Sequence, residues 1–262
     1  RTILDLGPWR RGGAVAETER RDVVWQDPAL VAKFVSGVRG GLPYAADQLA
    51  IMLRVVAASE QPVRRFLDLG SGAGTVASAI LSAYPEAEAT LLDFSEPMME
   101  AARSQLGEGD RRHYVLADFG RRGWVDAVAA LAPFDLIASG FAIHHQPDER
   151  KREIYKEIFD LLALGGWFIN IEHVSSATPW LQQVSDELLV DSIYAYHQRI
   201  GSGKTREEVA RDHVYRPDKV ANILAPVEDQ CAWLREIGYQ DVDCYFKVFE
   251  LAVFGGRKPT GP

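Results

Sequence analysis

From residue 64 onward the chain alternates short apolar, strand-like runs with helix-patterned segments, and this alternation constrains its fold more than any other feature. "RRFLDLG" reads as a buried strand, and "TVASAILSAY" places Val76, Ile80, Leu81 and Tyr84 at helical spacing. "EATLLDF" is a second strand and "EPMMEAARSQL" a second helix, with Pro97 in its first turn and Ser95 as its N-cap. "RHYVLADF", "FDLIASGF" and "WFINIEHV" supply three more strands, with a helix expected over "VDAVAALA". A further helix is expected over "DERKREIYKEIFDLLAL", with Ile154, Ile158, Leu161 and Leu162 on one face and Gly165-Gly166 ending it. Such alternation predicts an α/β fold, a parallel sheet with helices on both faces.

The pattern breaks after residue 174. Residues 175–225 read as a largely helical insertion, with Trp180, Leu181, Val184 and Leu188 on the face of one helix. A helix at 227–238 and two strands, "YQDVDCYFKV" and "FELAVFGGRK", follow, and their short junction predicts antiparallel neighbours. The expected organisation is therefore an N-terminal helical cap segment over 1–62, a binding core over 63–174, a helical cap or lid insertion over 175–225, and a helix and hairpin over 226–262 that complete the core. A chain of 262 residues accommodates one such domain with a cap. There is no internal repeat and no low-complexity segment.

The net charge of −8 argues against nucleic acid as a partner, because phosphate binding needs a concentrated basic surface. Arg10, Arg11, Arg20 and Arg21 read as solvated surface charges. No apolar run approaches the roughly 18–20 residues that cross a membrane, and the first 21 residues lack a signal-type apolar segment. A cytoplasmic location is expected. Cys231 and Cys244 fall in apolar-patterned segments and read as free thiols, with no metal-ligand spacing in the chain and no metal expected.

"LDLGSGAGT", residues 67–75, closes the first strand with glycines at alternate positions, 70, 72 and 74. In a parallel sheet, ligands bind at the carboxyl ends of strands, so this is a binding loop. A dinucleotide fingerprint would be G-x-G-x-x-G, whereas here Thr75 stands where its third glycine would fall. No nicotinamide-handling constellation accompanies it.

"LDLGSGAGT", "LLDFSEPMMEAA", "LADFG", "FDLIASGFAIHH" and "LLALGGWFINIEH" occur in order over residues 65–173. Together with the last helix and two strands, they resemble the Rossmann-like class of S-adenosylmethionine-dependent methyltransferases. The resemblance implies a doubly wound, seven-stranded, mostly parallel sheet with an antiparallel last strand, plus a helical cap. It also implies S-adenosylmethionine as cofactor and S-adenosylhomocysteine as product. The cofactor has no phosphates, and the loop correspondingly has no Lys or Arg. Carried onto this sequence, Gly70, Ser71, Gly72 and Gly74 would let the backbone approach the methionyl tail, with Asp68 orienting its ammonium. Asp93 would accept the ribose hydroxyls, with Phe94, Ser95 and Met98 on the adenine side. Asp118 and Phe119 would hold the adenine, and Ser139 and Gly140 would lie beneath the cofactor. The plainer alternative makes Asp93 and Asp118 helix-capping acids and Phe94 and Met98 core.

The chain ends, "GLPYAADQLAIML" and "EDQCAWLREIGYQDVDCYFKVFELAVFGG", are similar to the carboxy-S-adenosylmethionine synthase branch of that class, which serves tRNA wobble-uridine modification. That similarity implies contact of Tyr44 with the methionyl tail and a cap arginine for the carboxylate. Arg199, Arg206, Arg211 and Arg216 are all candidates, and a methyltransferase of the same branch is the preferred reading. Methyl transfer is an in-line displacement that needs a base only where the acceptor must lose a proton. His144 and His145 follow the fourth strand, and Glu172 and His173 end the fifth, so these four are the catalytic candidates. Trp180, Tyr194, His197 and Arg199 in the cap are the candidates for binding a small-molecule acceptor, and the cap's aromatic surface suits a homodimer.

Overall fold

The computed structural model describes residues 22–31, 39–59, 61–213 and 222–261. Arg10, Arg11, Arg20, Arg21 and Arg216 lie outside them. Seven strands form one sheet: β1 (Arg65–Leu69), β2 (Glu88–Asp93), β3 (Arg112–Leu116), β4 (Phe134–Gly140), β5 (Leu162–His173), β6 (Gln240–Val248) and β7 (Leu251–Arg257). Their order is β3-β2-β1-β4-β5-β7-β6. The first five run parallel, and β7 pairs antiparallel with both β5 and β6.

Strand periodicity divides the core between the two faces of the sheet. Phe66, Leu136, Ala138 and Ile169 pack with α1 (Ala45–Ala58), α2 (Thr75–Ala83) and α3 (Glu96–Leu106) through Met52, Val56, Ile80 and Met99. Leu67, Leu69, Ile137, Phe168 and Phe254 face the other way, onto α4 (Asp148–Leu161) and α7 (Val227–Ile237), meeting Ile154, Tyr155, Ile158 and Leu234. Because both faces are covered, the inner strands β1 and β2 are buried at every position after their first residue rather than at alternate ones. Each fully buried large apolar side chain contributes roughly 1.5–3 kcal/mol.

Two expected elements differ. The stretch expected as a helix at 125–132 forms only 3-10 turns, Trp124–Ala127 and Ala129–Leu131. Pro133 follows and disfavours helical backbone at Ala132, which is extended (ψ 161°). Nor does Gly165-Gly166 end α4. The helix stops at Leu161, and Leu162 is already extended (ψ 142°) because it pairs with Phe134 of β4. Gly165, at φ +78°, then sits inside β5. The insertion after β5 contains α5 (Pro179–Arg199) and α6 (Arg206–His213), which share a small core of Val190, Ile193 and Val209. The stripe read from sequence is not the one buried: Trp180 is 69% exposed.

Candidate active site

The chain winds outward from β1 to β2 and β3, then crosses to β4 on the other side of β1. That reversal opens a crevice at the strands' carboxyl ends. The turn after β1 forms its floor. The N–H groups of Gly70 and Ser71 both donate to the Leu92 carbonyl (2.8 and 3.0 Å), which folds the loop tightly over β2. Gly70 has φ +69°, and a Cβ placed there would lie 2.3 Å from Ala142 Cβ and 3.1 Å from Phe119 Cε1. The backbone therefore passes where no side chain fits.

Asp93 ends β2 and organises this floor. Its Oδ2 accepts the Gly72 N–H and its Oδ1 the Ser95 N–H, each at 2.8 Å. Burial pushes its pKa up, and the N–H groups of Ser95, Gly72 and Phe94 pull the other way. Ser95 caps α3 by accepting the Met98 N–H (3.4 Å), and its hydroxyl donates to the Trp25 carbonyl (2.5 Å). The short turn Asp22–Gln26 is thereby tied across the crevice. Of the expected cofactor residues, Gly70, Gly72, Asp93, Phe94, Met98, Phe119 and Gly140 line the cleft. Asp22, Trp25, Phe141 and Ala142 line it as well and were not singled out in the sequence. Phe141 takes φ +54°, a conformation rare for a bulky residue, and this bend after β4 turns the chain along the cleft wall.

The other expected cofactor residues lie behind the lining. Asp68 is fully buried and accepts the Ala77 N–H (2.9 Å), bracing β1 against α2. Ser71 is buried with its hydroxyl 3.8 Å from Met99 Sδ, and Gly74 (φ +82°) precedes α2. The Ser139 hydroxyl donates to the Leu69 carbonyl (2.8 Å), tying β4 to β1. Asp118 accepts the Gly120 N–H (2.9 Å) and pairs with Arg121 (3.3 Å), so it shapes the loop that carries Phe119. Arg150 holds that loop from beneath. This buried guanidinium donates to the Phe119 carbonyl (2.7 Å) and to both Glu157 oxygens (2.9 and 2.8 Å). Tyr44 is 43% exposed, with its ring 5.9 Å from that of Phe246.

The four catalytic candidates do come together. The parallel register that pairs Gly140 with Ile171 carries the His144 loop over the end of β5. Glu172 Oε1 lies 2.6 Å from His144 Nδ1 and accepts the His173 N–H (2.8 Å). Its Oε2 accepts the His144 N–H (3.0 Å) and the Asn170 amide (3.4 Å). A carboxylate only accepts, so Nδ1 of His144 carries a proton, and in the neutral ring Nε2 is then the acceptor. The His144 ring stands 4.0 Å from that of His145, which lines the cleft, and 5.8 Å from that of His173. His173 Nε2 lies 2.8 Å from Glu250, and its Nδ1 lies 3.4 Å from the Asn222 amide. Behind His144, its carbonyl accepts the Ile223 N–H (2.8 Å), while the Ile223 carbonyl accepts from the buried Lys151 ammonium.

The cap candidates lie elsewhere. Trp180 faces outward, Tyr194 packs on the cap's own core, and His197 Nδ1 meets the Ser202 hydroxyl (2.9 Å). Arg199 lies 5.8 Å from the Tyr196 ring, Arg206 pairs with Glu187 and Asp191, and Arg211 is near Asp212 (4.0 Å). None of these residues lines the cleft, whose lining includes no Lys or Arg among the described residues.

Residues 67–168 match the family model described as a methyltransferase domain. A demethylmenaquinone methyltransferase of Clavibacter sepedonicus is 25% identical over 82% of this chain and 82% of its own. A carboxy-S-adenosyl-L-methionine synthase of Aeromonas hydrophila is 23% identical over 90% of this chain and 91% of its own. The crystal structure of human N-acetylserotonin methyltransferase in complex with S-adenosylmethionine superposes with a TM-score of 0.60 at 16% identity. It covers 94% of this chain but only 61% of the human one.

Proposed function

We propose that this chain, a Rossmann-like S-adenosylmethionine-dependent methyltransferase, methylates an acidic hydroxyl of a small-molecule acceptor, with His144 taking the proton. The observation that carries this reading is the buried His144–Glu172 pair at 2.6 Å. The four donors around Glu172 hold it in place, and Glu172 in turn fixes the His144 tautomer that leaves Nε2 basic. An acceptor that had no proton to lose would have no use for such a pair.

The cleft residues suit the cofactor. The bare backbone at Gly70 and Gly72 admits a ligand closely, Asp93 offers acceptor oxygens, and Phe94, Met98 and Phe119 offer apolar faces. When bound, S-adenosylmethionine supplies a methyl group activated by the sulfonium charge. The residues of the chain bind and orient: Asp93 and the glycine turn hold one side, the loop at 140–145 holds the other, and Trp25 covers the cleft beside His145 (rings 6.5 Å apart). Holding the acceptor in line and excluding water then supply much of the rate.

The division into a core of 63–174 with 226–262, and a cap drawn from 1–62 and 175–225, belongs to the same reading. The net charge of −8 supports a small molecule over nucleic acid as acceptor. The free thiols of Cys231 and Cys244 suit a reducing, cytoplasmic compartment. Apolar area exposed at Trp180 and Ile200 supports a homodimer. No helix among the described residues is long and apolar enough to cross a membrane. The synthase alternative needs a cap arginine at the cleft, and Arg206 is instead engaged by Glu187 and Asp191.

The test is transfer of an isotope-labelled methyl group to a panel of phenols, hydroxy acids, amines and thiols, read by mass spectrometry. Methylated phenol or hydroxy-acid products, lost in His144→Gln while cofactor affinity stays, support the reading. Turnover of amines or thiols only, or a fully active His144→Gln, refutes it.

A further inference from the structure

Lys151 stands in the opening turn of α4 with its side chain 1% exposed. Burying an ammonium costs solvation, and the N-terminal end of a helix disfavours a cation. Its bonds must therefore account for its place. Nζ donates to Asp148 Oδ1 (2.7 Å), three residues back on the same helix, and to the carbonyl of Ile223. The first bond is an ordinary helix-surface pair, since the Asp148 side chain is 48% exposed, and it needs no burial. The second spans 72 residues of sequence and ends beside the proposed base. The same Ile223 donates its N–H to the His144 carbonyl (2.8 Å). Two bonds thus join the Lys151 ammonium to His144.

His144 rides on a single 3-10 turn, Ile143–His145, and hydrogen bonds of that geometry are weaker than those of an α-helix. Its placement comes from outside the turn. Glu172 takes Nδ1 and the backbone N–H, and Ile223 takes the carbonyl. The chain at 222–226 has no regular structure of its own. Side chains fix it instead: the Asn222 amide reaches His173 Nδ1 (3.4 Å), Lys151 holds Ile223, and Gln230 Nε2 donates to the Ala225 carbonyl (3.1 Å). We propose that Lys151 is a positioning residue for methyl transfer: it fixes Ile223, and Ile223 holds His144 by its backbone where the ring takes the acceptor's proton. The inference rests on the reading of His144 given above. Lys151 lies outside the cleft lining and acts through Ile223 alone. In the reaction the methyl–sulfur bond breaks and leaves its electron pair on sulfur. A methyl–oxygen bond forms, and the hydroxyl proton passes to His144 Nε2. A misplacement of about 1 Å in such a group can cost about a hundredfold in rate.

The experiment compares the full chain with two variants. Lys151→Met keeps the length and the apolar stem but removes the ammonium. Asp148→Asn removes the helix-surface ion pair and leaves the bond to Ile223. Rates are read with labelled S-adenosylmethionine and a phenol that the wild type methylates, and S-adenosylhomocysteine binding by calorimetry. Lys151→Met is expected to lower kcat by about tenfold or more, with KM for S-adenosylmethionine and the product's affinity within about twofold of wild type. Asp148→Asn is expected to keep the wild-type kcat. Nitrogen NMR of labelled histidine, with the His144 signal assigned by His144→Gln, needs no acceptor. In Lys151→Met that signal should move from protonated Nδ1 toward a mixture of tautomers. Lys151→Gln, with a shorter neutral donor, stands in should Lys151→Met not fold, and a smaller loss of kcat is expected of it. A wild-type kcat with an unmoved His144 signal in the folded Lys151 variant, or equal losses of kcat and product affinity in every variant, overturns the proposal while the reading of His144 as base stands. A fully active His144→Gln overturns both.

Discussion

Gly70→Ala tests whether the glycine turn is built for close approach, and it can be read without knowing the acceptor. Two costs are separable. At φ +69° an L-residue sits in the left-handed region, at about 1–2 kcal/mol. The new methyl would also lie 2.3 Å from Ala142 Cβ, whereas carbon atoms rest at about 3.5–4.0 Å. Opening more than an ångström between two tightly held loops adds overpacking of about 1–3 kcal/mol. The sum, about 2–5 kcal/mol, is measurable by urea denaturation. Ala142 and Phe119 both line the cleft, so their displacement should also weaken S-adenosylhomocysteine by about tenfold or more in calorimetry. Adding Ala142→Gly removes the clash but not the backbone strain, so the double variant should recover about 1–3 kcal/mol of the loss. A single variant within about 0.5 kcal/mol of wild type, or a double variant no better than the single, would refute the reasoning.

Glu172→Gln sets an amide against either the His144 or the His173 N–H donors and frees His144 to adopt the wrong tautomer. Turnover should fall by about 10²–10⁴-fold in a rate assay, with cofactor affinity nearly unchanged. Cofactor affinity should fall on acidification at a pH above the ordinary carboxylate range. Burial raises the pKa of Asp93, and ribose hydroxyls bind its ionised form. The same shift has the opposite sign for folding: the folded state holds that proton more tightly, so this group's contribution to stability rises as pH falls through the raised pKa. Titrations across pH should show both trends, and Asp93→Asn should flatten them. Arg150→Met leaves Glu157 and the Phe119 carbonyl without their buried cation, and should cost about 3–5 kcal/mol in denaturant unfolding. Calorimetry should show weaker cofactor binding through the released Phe119 loop.

The fold was largely legible because its signals are local. The helix Glu96–Leu106 has the bounds read from sequence, since Ser95 and Pro97 both mark its start and Gly107 its end. Where a local signal competed with strand pairing, the pairing prevailed. Leu162 has helical spacing with Ile158, but its backbone partner is Phe134 of β4, so α4 ends at Leu161. In the cap, Trp180 and Leu181 look like the buried stripe. The contacts that bury α5 come instead from Val209 on α6 and from the 3-10 turn Arg39–Gly41, and both meet its C-terminal half. No periodicity within a helix reveals which of its turns will find a partner.

The site shows the same division more sharply. The place of Gly70, Gly72 and Asp93 in the cleft lining can be read because the two glycines follow β1 directly and Asp93 ends β2. The pairing of His144 with Glu172 cannot be read that way. The two are 28 residues apart and meet only because β4 and β5 are neighbours, with Gly140 opposite Ile171. A strand order supplies that register, so the pair becomes inferable once the sheet is known. Asp22 is harder still. Its turn, "DVVWQ", carries no motif, and side-chain bonds from Gln146 and Ser95 help to hold it over the cleft. Residues that bind from a strand's end inherit their position from the sheet. A residue that reaches the cleft from outside the sheet is placed by side-chain contacts, and sequence spacing leaves no record of those.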